Sequence, residues 1–393
     1  MKTTVAALCS RVTSGGTPNR AHPEYYEPGT IPWVKTGDLL DGPVSRYDEH
    51  ISKEGLASSS AKLLPEGTVL MAMYGATVGR LGWLTEEAAC NQAACAMIAN
   101  PAVCDYRWLF YALMWSRSGL VGLASGAAQQ NLNAGLIKSM ELPATLLAEQ
   151  RAIAEVLGAL DDKIAANDRV GNLCLELADS MFTEAVRGMR LGGQTFGDLA
   201  EVAGGGTPKT SFEEYWNGSI PWATPTDVTA LNGPYLFTTS RMITEDGLAA
   251  CSSKLYPKQS ILMTSRATIG AFAIAQVPVA VNQGFIVVNA KNPIHQFWLF
   301  HEMRSRVSEF ISHANGATFL ELSRGKFKQF QVRIPDPDLA RSFSRQVVPL
   351  HEQAAQTMTE TATLVATRDE LLPLLMSGKV RVREAEKIVE EVV

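Results

Sequence analysis

The chain of 393 residues contains one sequence pattern twice, in the same order both times. The members of each pair lie 189 to 192 residues apart. The paired segments are GGTP at 15–18 and 205–208, IPW at 31–33 and 220–222, SSAKLLP at 59–65 and CSSKLYP at 251–257, ATVG at 76–79 and ATIG at 267–270, and NQA at 91–93 and NQG at 282–284. A duplication of this length predicts two copies of one domain, related by approximate two-fold symmetry.

The first part of each copy, residues 1–143 and 191–335, is rich in glycine, proline and aromatic residues. Short apolar runs bounded by turn residues predict strands, and longer periodic runs predict helices. The strand segments are 67–75, 260–266 and 285–290, and the helical segments are 105–116 and 295–311. We therefore expect two similar mixed α/β domains, and we assign the chain to the α+β class.

The second part of each copy, residues 146–187 and 338–376, has the pattern of one long helix. Apolar or small residues recur on both at steps of three and four, which is the spacing of a coiled coil. A helix of about 40 residues spans about 60 Å, whereas a domain of about 140 residues has a radius of gyration of about 14 Å. We therefore expect two projecting helices that pack against each other and act as a spacer.

These patterns divide the chain into four segments. They are a first domain at 1–143, a central spacer helix at 144–190, a second domain at 191–335, and a C-terminal spacer helix with a tail at 336–393. Pro349 lacks a backbone donor, so we expect a kink or a late start of the second helix. Asn167 lies on the apolar stripe of the first helix, where it either fixes the register of the pair or faces solvent.

Composition and charge exclude several classes of protein. The hydrophobic content of 46% and the charged content of 19% are those of a globular protein, and no apolar run predicts a membrane span. The N-terminus does not resemble a signal peptide, and six cysteines without CxxC spacing favour a reduced cytoplasm. The net charge of −5 argues against a protein that binds DNA alone, so either positive charge lies on one face or a partner supplies some of it.

The sequence lacks the motifs that catalytic and cofactor sites need. It contains no GxxxxGK[ST] phosphate loop, no helix after the GGG at 204–206 that would make a dinucleotide loop, and no Asn/Asp-Pro-Pro-aromatic tetrapeptide of amino-methyltransferases. The six histidines form neither an HExxH motif nor a zinc pattern with cysteines. The residues therefore indicate no recognisable catalytic, metal or cofactor site on this chain.

Double-stranded DNA is the ligand whose symmetry matches a duplicated reader. Beside each IPW segment, some positions differ between the copies while the surrounding frame is kept, as two readers of different sequences require. The candidate groove contacts there are Lys35, Thr36, Thr224 and Thr226. Trp33 and Trp222 themselves are expected to anchor the core.

A second candidate surface is the polar stretch late in each domain. In the first domain it carries amides suited to bidentate contacts with adenine, namely Gln129, Gln130, Asn131 and Asn133. In the second domain it carries a basic cluster, namely Arg324, Lys326 and Lys328. Arg80 and Arg266, beside the ATVG and ATIG turns, are further candidates. A solvated surface loop is the alternative for each of these residues.

These motifs, in this order, resemble the specificity subunit, HsdS, of type I restriction–modification systems. The resemblance covers essentially the whole chain, and it is specific because the motifs recur twice in one order. It is carried by GGTP, IPW with Asp38 or Asp227, SRATIG at 265–270, GAAQQNLN at 126–133, LPATLLAEQRAIAEVLGALDDKI at 142–164 and LLPLLMSGKVRV at 371–382. The second domain has TFLELS at 318–323 where the first has AQQNLN, so the two halves should read different bases.

The resemblance implies a non-catalytic subunit whose two target recognition domains each read one half of a bipartite DNA site. Two antiparallel helices would form a coiled coil, set the spacer and dock two methyltransferase (HsdM) subunits. Two restriction and translocation (HsdR) subunits can join, and S-adenosylmethionine, ATP and Mg would belong to these partners. The residues alone leave two alternatives open: a solitary methyltransferase or nuclease with an unrecognised site, and a helical scaffold joining two modules that do not bind DNA.

Overall fold

The structure is a computed structural model that describes residues 2–124, 131–316 and 320–392, with the backbone alone for 120–124. The chain divides into two compact units. The first unit is Met1–Asp168 together with Thr359–Val393, and the second unit is Arg169–Met358. Each unit therefore contains one copy of the duplicated domain.

The first unit contains a five-stranded sheet, a three-stranded sheet and one further strand pair. The strands are β1 (Lys2–Thr4), β2 (Cys9–Ser14), β3 (Ile31–Val34), β4 (Gly42–Val44), β5 (His50–Ile51), β6 (Val69–Ala72), β7 (Leu81–Leu84), β8 (Ala89–Cys90), β9 (Ala94–Ala99) and β10 (Glu141–Pro143). The larger sheet has the order β2-β9-β6-β7-β4, the smaller sheet has the order β5-β3-β8, and β1 pairs with β10. The β4–β7 and β3–β8 pairs are parallel, and the others are antiparallel.

The second unit repeats both sheets. Its strands are β11 (Ala200–Ala203), β12 (Trp216–Ala223), β13 (Tyr235–Leu236), β14 (Met242–Ile243), β15 (Ile261–Thr264), β16 (Phe272–Ala275), β17 (Ala280–Val281) and β18 (Phe285–Ala290). The orders are β11-β18-β15-β16-β13 and β14-β12-β17, which are those of the first unit when each strand is replaced by its repeat equivalent. The duplication thus extends to topology, and the α+β class and the predicted strands β6, β15 and β18 are confirmed.

The helices that accompany these sheets also correspond between the copies, although the helix at Tyr106–Ala124 is longer than its equivalent at Gln296–Arg304. They are α1 (Val5–Leu8), α2 (Lys53–Ala57), α3 (Tyr106–Ala124), α4 (Ala134–Ser139), α5 (Leu147–Ala185), α6 (Phe196–Leu199), α7 (Pro225–Thr229), α8 (Glu245–Ala249), α9 (Gln296–Arg304), α10 (Val307–Ser312), α11 (Arg324–Lys328), α12 (Pro337–Met376) and α13 (Val382–Glu390). Short 3₁₀ turns lie at Pro23–Tyr25, Thr36–Asp38, Gly75–Thr77, Glu213–Tyr215 and Pro293–His295. The single helix predicted over 295–311 is divided into α9 and α10, whereas its counterpart α3 is continuous.

The central strand of each larger sheet is buried on both faces. In β6, Val69 and Met71 pack into the core that contains α3, while Leu70 and Ala72 pack into a second core on the opposite side. Because strand side chains alternate between faces, a strand covered on both sides must be apolar throughout. The run VLMA satisfies this requirement, and ILMT in β15 does so in the second unit with a buried threonine.

The long helices α5 and α12 each begin in one unit and end in the other. Within the first unit, Lys163 Nζ lies 3.2 Å from Glu360 Oε1 and Asp161 Oδ1 lies 2.8 Å from Arg368 Nη1. Residue numbers fall on α5 as they rise on α12, so the two helices run antiparallel there. The apolar stripes meet in the cores of the two units, at Ile153, Leu157, Leu160, Leu364, Leu371 and Leu375 in the first unit and at Ala178, Phe182, Phe343, Val347 and Ala354 in the second unit.

One expectation about these helices is wrong, and one of the two alternatives for Asn167 is excluded. The expected late start at Pro349 is wrong, because α12 begins at Pro337 and is helical through Pro349. Pro349 and Arg345, four residues earlier, are both exposed, so the carbonyl that loses its donor faces water while the buried stripe continues beneath. Asn167 does not face solvent, since it is 5% exposed, and its Nδ2 has no hydrogen-bond partner among the described residues. A role in register stays a prediction.

Buried polar contacts join each domain to the helix pair of its own unit. In the first unit, Tyr111 donates a 2.5 Å hydrogen bond to Asp161 on α5, which also pairs with Arg368 on α12. In the second unit, His301 on α9 and His351 on α12 approach to 3.0 Å between their Nε2 atoms. Tyr111 and Asp161 precede His301 and His351 by the same 190 residues, so a hydrogen bond from a phenol to a carboxylate in one copy corresponds to a contact between two imidazoles in the other.

The histidine pair predicts a pH-dependent stability of the second unit. Burial lowers the pKa of His351 from 6.5 to about 3, and burial also lowers the pKa of His301 against the opposing effect of Asp179. The groups facing His351 are His301, Tyr235, Arg304 and Asp179. The unfolded chain binds protons below about pH 6.5 that folded His351 does not bind, so the contribution of His351 to stability is constant above that pH and falls below it.

At pH 5 the loss through His351 should be about 2 kcal/mol. The measurement is urea unfolding at pH 7 and pH 5 for the wild type and for His351→Leu, with exposed His22→Leu as control. Between pH 7 and pH 5, His351→Leu should lose less stability than the wild type, whereas His22→Leu should lose as much as the wild type. An equal loss in both proteins would show that His351 does not titrate on unfolding.

Candidate nucleic-acid interface

The repeated motifs contact one another in each domain, and they form a frame. Trp33 of the first IPW segment donates its Nε1–H to the carbonyl of Gly16 at 3.0 Å. Trp222 of the second IPW segment donates to the carbonyl of Gly206 at 3.1 Å. Both indoles are buried, which confirms that the two tryptophans are core anchors. Each one holds the GGTP loop of its own domain.

The GGTP loop is also fixed against the strand and turn that contain the NQ segment. The Thr17 hydroxyl donates to Gln92 Oε1, and the Thr207 hydroxyl donates to Gln283 Oε1 at 2.7 Å. A Cβ on Gly205 would lie 1.8 Å from the carbonyl oxygen of Val281, so the close approach of the loop requires glycine. What is repeated in the sequence is therefore the set of contacts that holds this loop.

The candidates beside each tryptophan lie where an aspartate present in both copies, Asp38 or Asp227, caps a short helical turn. In the first domain, Asp38 accepts the backbone N–H of Lys35 at 2.7 Å, and Lys35 Nζ lies 3.0 Å from Glu49 and 3.6 Å from Asp48. The hydrogen bond to Glu49 raises the pKa of Lys35. Lys35 is thus charged and already neutralised by carboxylates, and it would have to exchange them for DNA. Thr36 next to it is half-buried.

In the second domain, Asp227 has the role of Asp38, and it binds the side chain of Thr224 as well as its backbone. Asp227 Oδ2 accepts both the backbone N–H and the hydroxyl of Thr224 at 2.7 Å, so this hydroxyl is engaged within the domain. Thr226, on the first turn of α7, is exposed. A Cβ on Gly284 would lie 2.9 Å from Cγ of Pro225, which places the start of α7 beside the NQG turn.

The late polar stretch of the first domain is only partly described. Gln129 and Gln130 lie outside the described residues. Asn131 is exposed. Asn133 is exposed as well, but its Oδ1 accepts the backbone N–H of Leu136 at 2.9 Å and so caps α4. Arg80 is exposed on the turn after Gly79 and forms no side-chain hydrogen bond or ion pair with a described residue. Arg80 is therefore available to a ligand.

The late stretch of the second domain forms α11, which carries Arg324, Lys326 and Lys328, all exposed. Ser323 caps this helix by accepting the N–H of Lys326 at 3.2 Å, as Asn133 does in the first domain. Arg324 reaches back to the GGTP loop, since a Cβ on Gly204 would lie 3.0 Å from its Cδ. The basic cluster thus adjoins the frame.

Arg266 and Arg324 line one cavity of about 290 Å³ in the second domain. Arg266 forms an ion pair with Glu321, and both side chains are nearly half exposed. The other lining residues include Gln283, Ser323 and Gly325. Sequence reasoning missed Glu321, Gln283 and Ser323. The repeated NQ segment could have indicated the glutamine, and the replacement of AQQNLN by TFLELS could have indicated Glu321.

Within 2–124, 131–316 and 320–392, no group of three or more His, Cys, Asp or Glu side chains could hold a metal ion. All six cysteines are free, and burial raises the pKa of Cys9, Cys90 and Cys95 to about 12, so these thiols are protonated at neutral pH. Over the same residues, the length and apolar character needed to cross a membrane are not combined in any helix.

Comparison with known proteins gives a consistent result. A model described as the type I restriction modification DNA specificity domain matches residues 8–172 and 194–339. The specificity subunit of the type I restriction enzyme MjaIX from Methanocaldococcus jannaschii is 39% identical over 143 residues, which are 36% of this chain and 33% of that protein. The EcoR124I/EcoR124II specificity subunit of Escherichia coli is 32% identical over 152 residues, which are 37% of each protein. Each match therefore spans about a third of the relative's length.

Among solved structures, the S subunit of a type I restriction–modification system from M. genitalium superposes with a TM-score of 0.65. The superposition covers 95% of both chains at 17% sequence identity. At this identity the likeness establishes a shared fold.

Proposed function

Because this chain belongs to the type I restriction–modification DNA specificity family, we propose that it reads a bipartite DNA site and catalyses no reaction itself. Each recognition domain, 1–143 and 191–335, reads one half of the site. The paired helices α5 and α12 set the length of unread DNA between the halves. A different base sequence in each half follows from the different residues on the two candidate surfaces.

One observation carries this proposal. In both domains the same frame of tryptophan, glycine, threonine and glutamine contacts holds the GGTP loop. Around it, exposed side chains differ between the copies, with Tyr74 and Asn131 in the first domain and Arg266 and Glu321 in the second. A fixed frame with variable exposed side chains is what two readers of different half-sites need.

The helices also provide the surface for partners. We propose that two methyltransferase subunits dock on the helix pair, and that two restriction and translocation subunits can join them in the cytoplasm. S-adenosylmethionine, ATP and Mg then belong to the partners. Lys35, already paired with two acids, would contact DNA only after exchanging them, whereas Thr36, Arg80, Asn131, Asn133, Thr226, Arg266, Arg324, Lys326 and Lys328 are accessible at least in part.

The test is methylome sequencing of cells that express the full chain with its methyltransferase partner. We expect one bipartite methylated motif. Exchanging residues 191–335 for the corresponding domain of another family member should change one half of that motif and leave the other half and the spacer unchanged. The intact first domain serves as the internal control. A change in both halves, or methylation without a split motif, would contradict the proposal.

Phosphate contacts of the basic cluster predict a specific salt effect. Replacing Arg324, Lys326 and Lys328 together with alanine should reduce the slope of log K against log salt by about 2 to 3, since each phosphate contact contributes about 0.9. The measurement is binding of the assembled complex to one duplex at several salt concentrations. Replacing Lys379, Arg381 and Arg383, three exposed basic residues of the tail, changes the net charge equally and should leave the slope unchanged. If both variants had the same salt slope, the cluster of Arg324, Lys326 and Lys328 would not contact DNA phosphates.

A further inference from the structure

We propose that Arg266 and Glu321 together read one G·C base pair in the half-site of the second domain. The assignment rests on the proposed function and adds to it the residues and the base pair. Neither the repeated frame nor the family match identifies these two side chains as a unit. They are 55 residues apart in the chain, and the fold brings them together at the rim of the cavity that Arg324 also lines.

The geometry of the pair leaves one donor edge and one acceptor free. Arg266 Nε donates to Glu321 Oε1 at 2.9 Å, and Nη2 lies 2.9 Å from the same oxygen. Nη1 of Arg266 and Oε2 of Glu321 form no hydrogen bond or ion pair with a described residue. Side-chain exposures of 44% and 46% leave both groups accessible. The contact therefore orients the guanidinium so that its end, with two parallel N–H groups, is presented outward.

This arrangement matches the major-groove edge of a G·C pair. Guanine presents two neighbouring acceptors, O6 and N7, which are suited to two N–H donors of arginine. Cytosine presents its N4 amino donor next to O6, which is suited to a carboxylate oxygen. An A·T pair presents the adenine N6 donor where the guanidinium would lie, so it is disfavoured. One side-chain pair thus discriminates among the four base pairs.

The backbone around the pair is held firmly. The segments containing Arg266 and Glu321 form an isolated antiparallel bridge, and Leu322 N–H bonds to the Ser265 carbonyl at 2.9 Å. Ala267, directly after Arg266, has φ of 59°, a left-handed conformation that a residue with a side chain rarely adopts. Its N–H bonds to the Leu320 carbonyl at 3.1 Å. A strained turn fixed by several contacts is typical of a residue positioned for binding.

The first domain has the same backbone contact with different side chains. Leu132 N–H bonds to the Met73 carbonyl at 2.9 Å, as Leu322 bonds to Ser265 in the second domain. The residues that then correspond to Arg266 and Glu321 are Tyr74 and Asn131, both exposed. The first domain therefore lacks the arginine–carboxylate pair at this position, and its half-site should not require G·C at the equivalent step.

The experiment uses the full chain assembled with its methyltransferase partner. The wild-type methylome gives the motif, and the exchange of 191–335 identifies the half read by the second domain. Each G·C pair of that half is then replaced in turn by the other three base pairs in synthetic duplexes, and methylation rates are compared for the wild type, Arg266→Ala and Glu321→Ala. Glu201→Gln, an exposed carboxylate of the same domain, is the matched control, and thermal unfolding confirms that each variant folds.

We expect the wild type to prefer G·C at one position by roughly 5- to 160-fold, the range given by one good bidentate contact. Both alanine variants should lose this preference at that same position and keep the preferences at all others. A rate loss that is uniform across the four base pairs, relaxation at two different positions, or unchanged preferences would overturn the inference. A wild type without any bipartite motif would instead overturn the proposed function.

Discussion

Glu302→Ala should destabilise the second unit by about 3–5 kcal/mol, the cost of removing one partner from a buried ion pair. Glu302 on α9 is fully buried. Its Oε1 lies 2.9 Å from Arg306 Nη1 and its Oε2 lies 2.8 Å from Arg333 Nη2. Both arginines are themselves largely shielded from water. Alanine at position 302 would leave two positive charges without this carboxylate and open a cavity.

The matched control is Glu309→Ala, because Glu309 also pairs with Arg306, at 2.7 Å, but is 38% exposed. Because Glu309 is itself partly solvated, its removal should cost less than that of Glu302, about 1 kcal/mol. Urea unfolding of the full chain, with the change of each midpoint converted through the common slope, measures both variants. If Glu309→Ala cost as much as Glu302→Ala, burial would not be the cause.

Among substitutions that add one methyl group to the frame, Gly205→Ala should destabilise the second domain most. The added Cβ would lie 1.8 Å from the Val281 carbonyl oxygen and 2.5 Å from its carbon, and both are backbone atoms that cannot rotate away. The GGTP loop must move off β17, and the 3.1 Å hydrogen bond from Gly206 N–H to the Val281 carbonyl is lost with it. We expect a loss of about 3 kcal/mol or more.

Gly193→Ala provides the control, because no atom lies within 4 Å of its added Cβ. Its effect should stay within about 0.5 kcal/mol. Thermal unfolding gives the stability of each variant, and amide exchange at Gly206 reports whether the loop has left β17. Protection at Gly206 that equals the wild type would mean that the loop accommodates the methyl group.

The parts of the fold that depend on local pattern could be predicted from the sequence. The strands β6, β15 and β18 and both long helices follow from apolar periodicity over many residues, and the repeat fixed which segments correspond. The late start at Pro349 was wrong because a proline inside a helix removes one backbone hydrogen bond, and side-chain packing elsewhere along the helix can offset that loss. With Arg345 exposed and the buried stripe continuous on either side, tertiary packing holds the helix through it.

The candidate interface was predictable in outline and less so in detail. Repetition identified the frame, and the unequal segments identified the exposed surface. The Arg266–Glu321 pair depends on a bridge between segments 55 residues apart, which no local pattern encodes. Asn133 and Ser323 were not distinguishable as helix caps until α4 and α11 were placed. The imidazole contact between His301 and His351 likewise joins distant elements.

The division of the chain into units has a consequence for the order of folding. The second unit is one continuous stretch, whereas the first is split into Met1–Asp168 and Thr359–Val393. The core of the first unit therefore lacks Leu364, Leu371 and Leu375 until the residues that follow the second unit have been synthesised. In the folded second unit Gly171 lies against Thr357, since a Cβ added to Gly171 would be 3.1 Å from the threonine hydroxyl oxygen. The folded second unit therefore holds the two segments of the first unit close together, and the first unit does not bear the entropy cost of closing that loop. On the ribosome, the domain that is synthesised first should be the last to become stable.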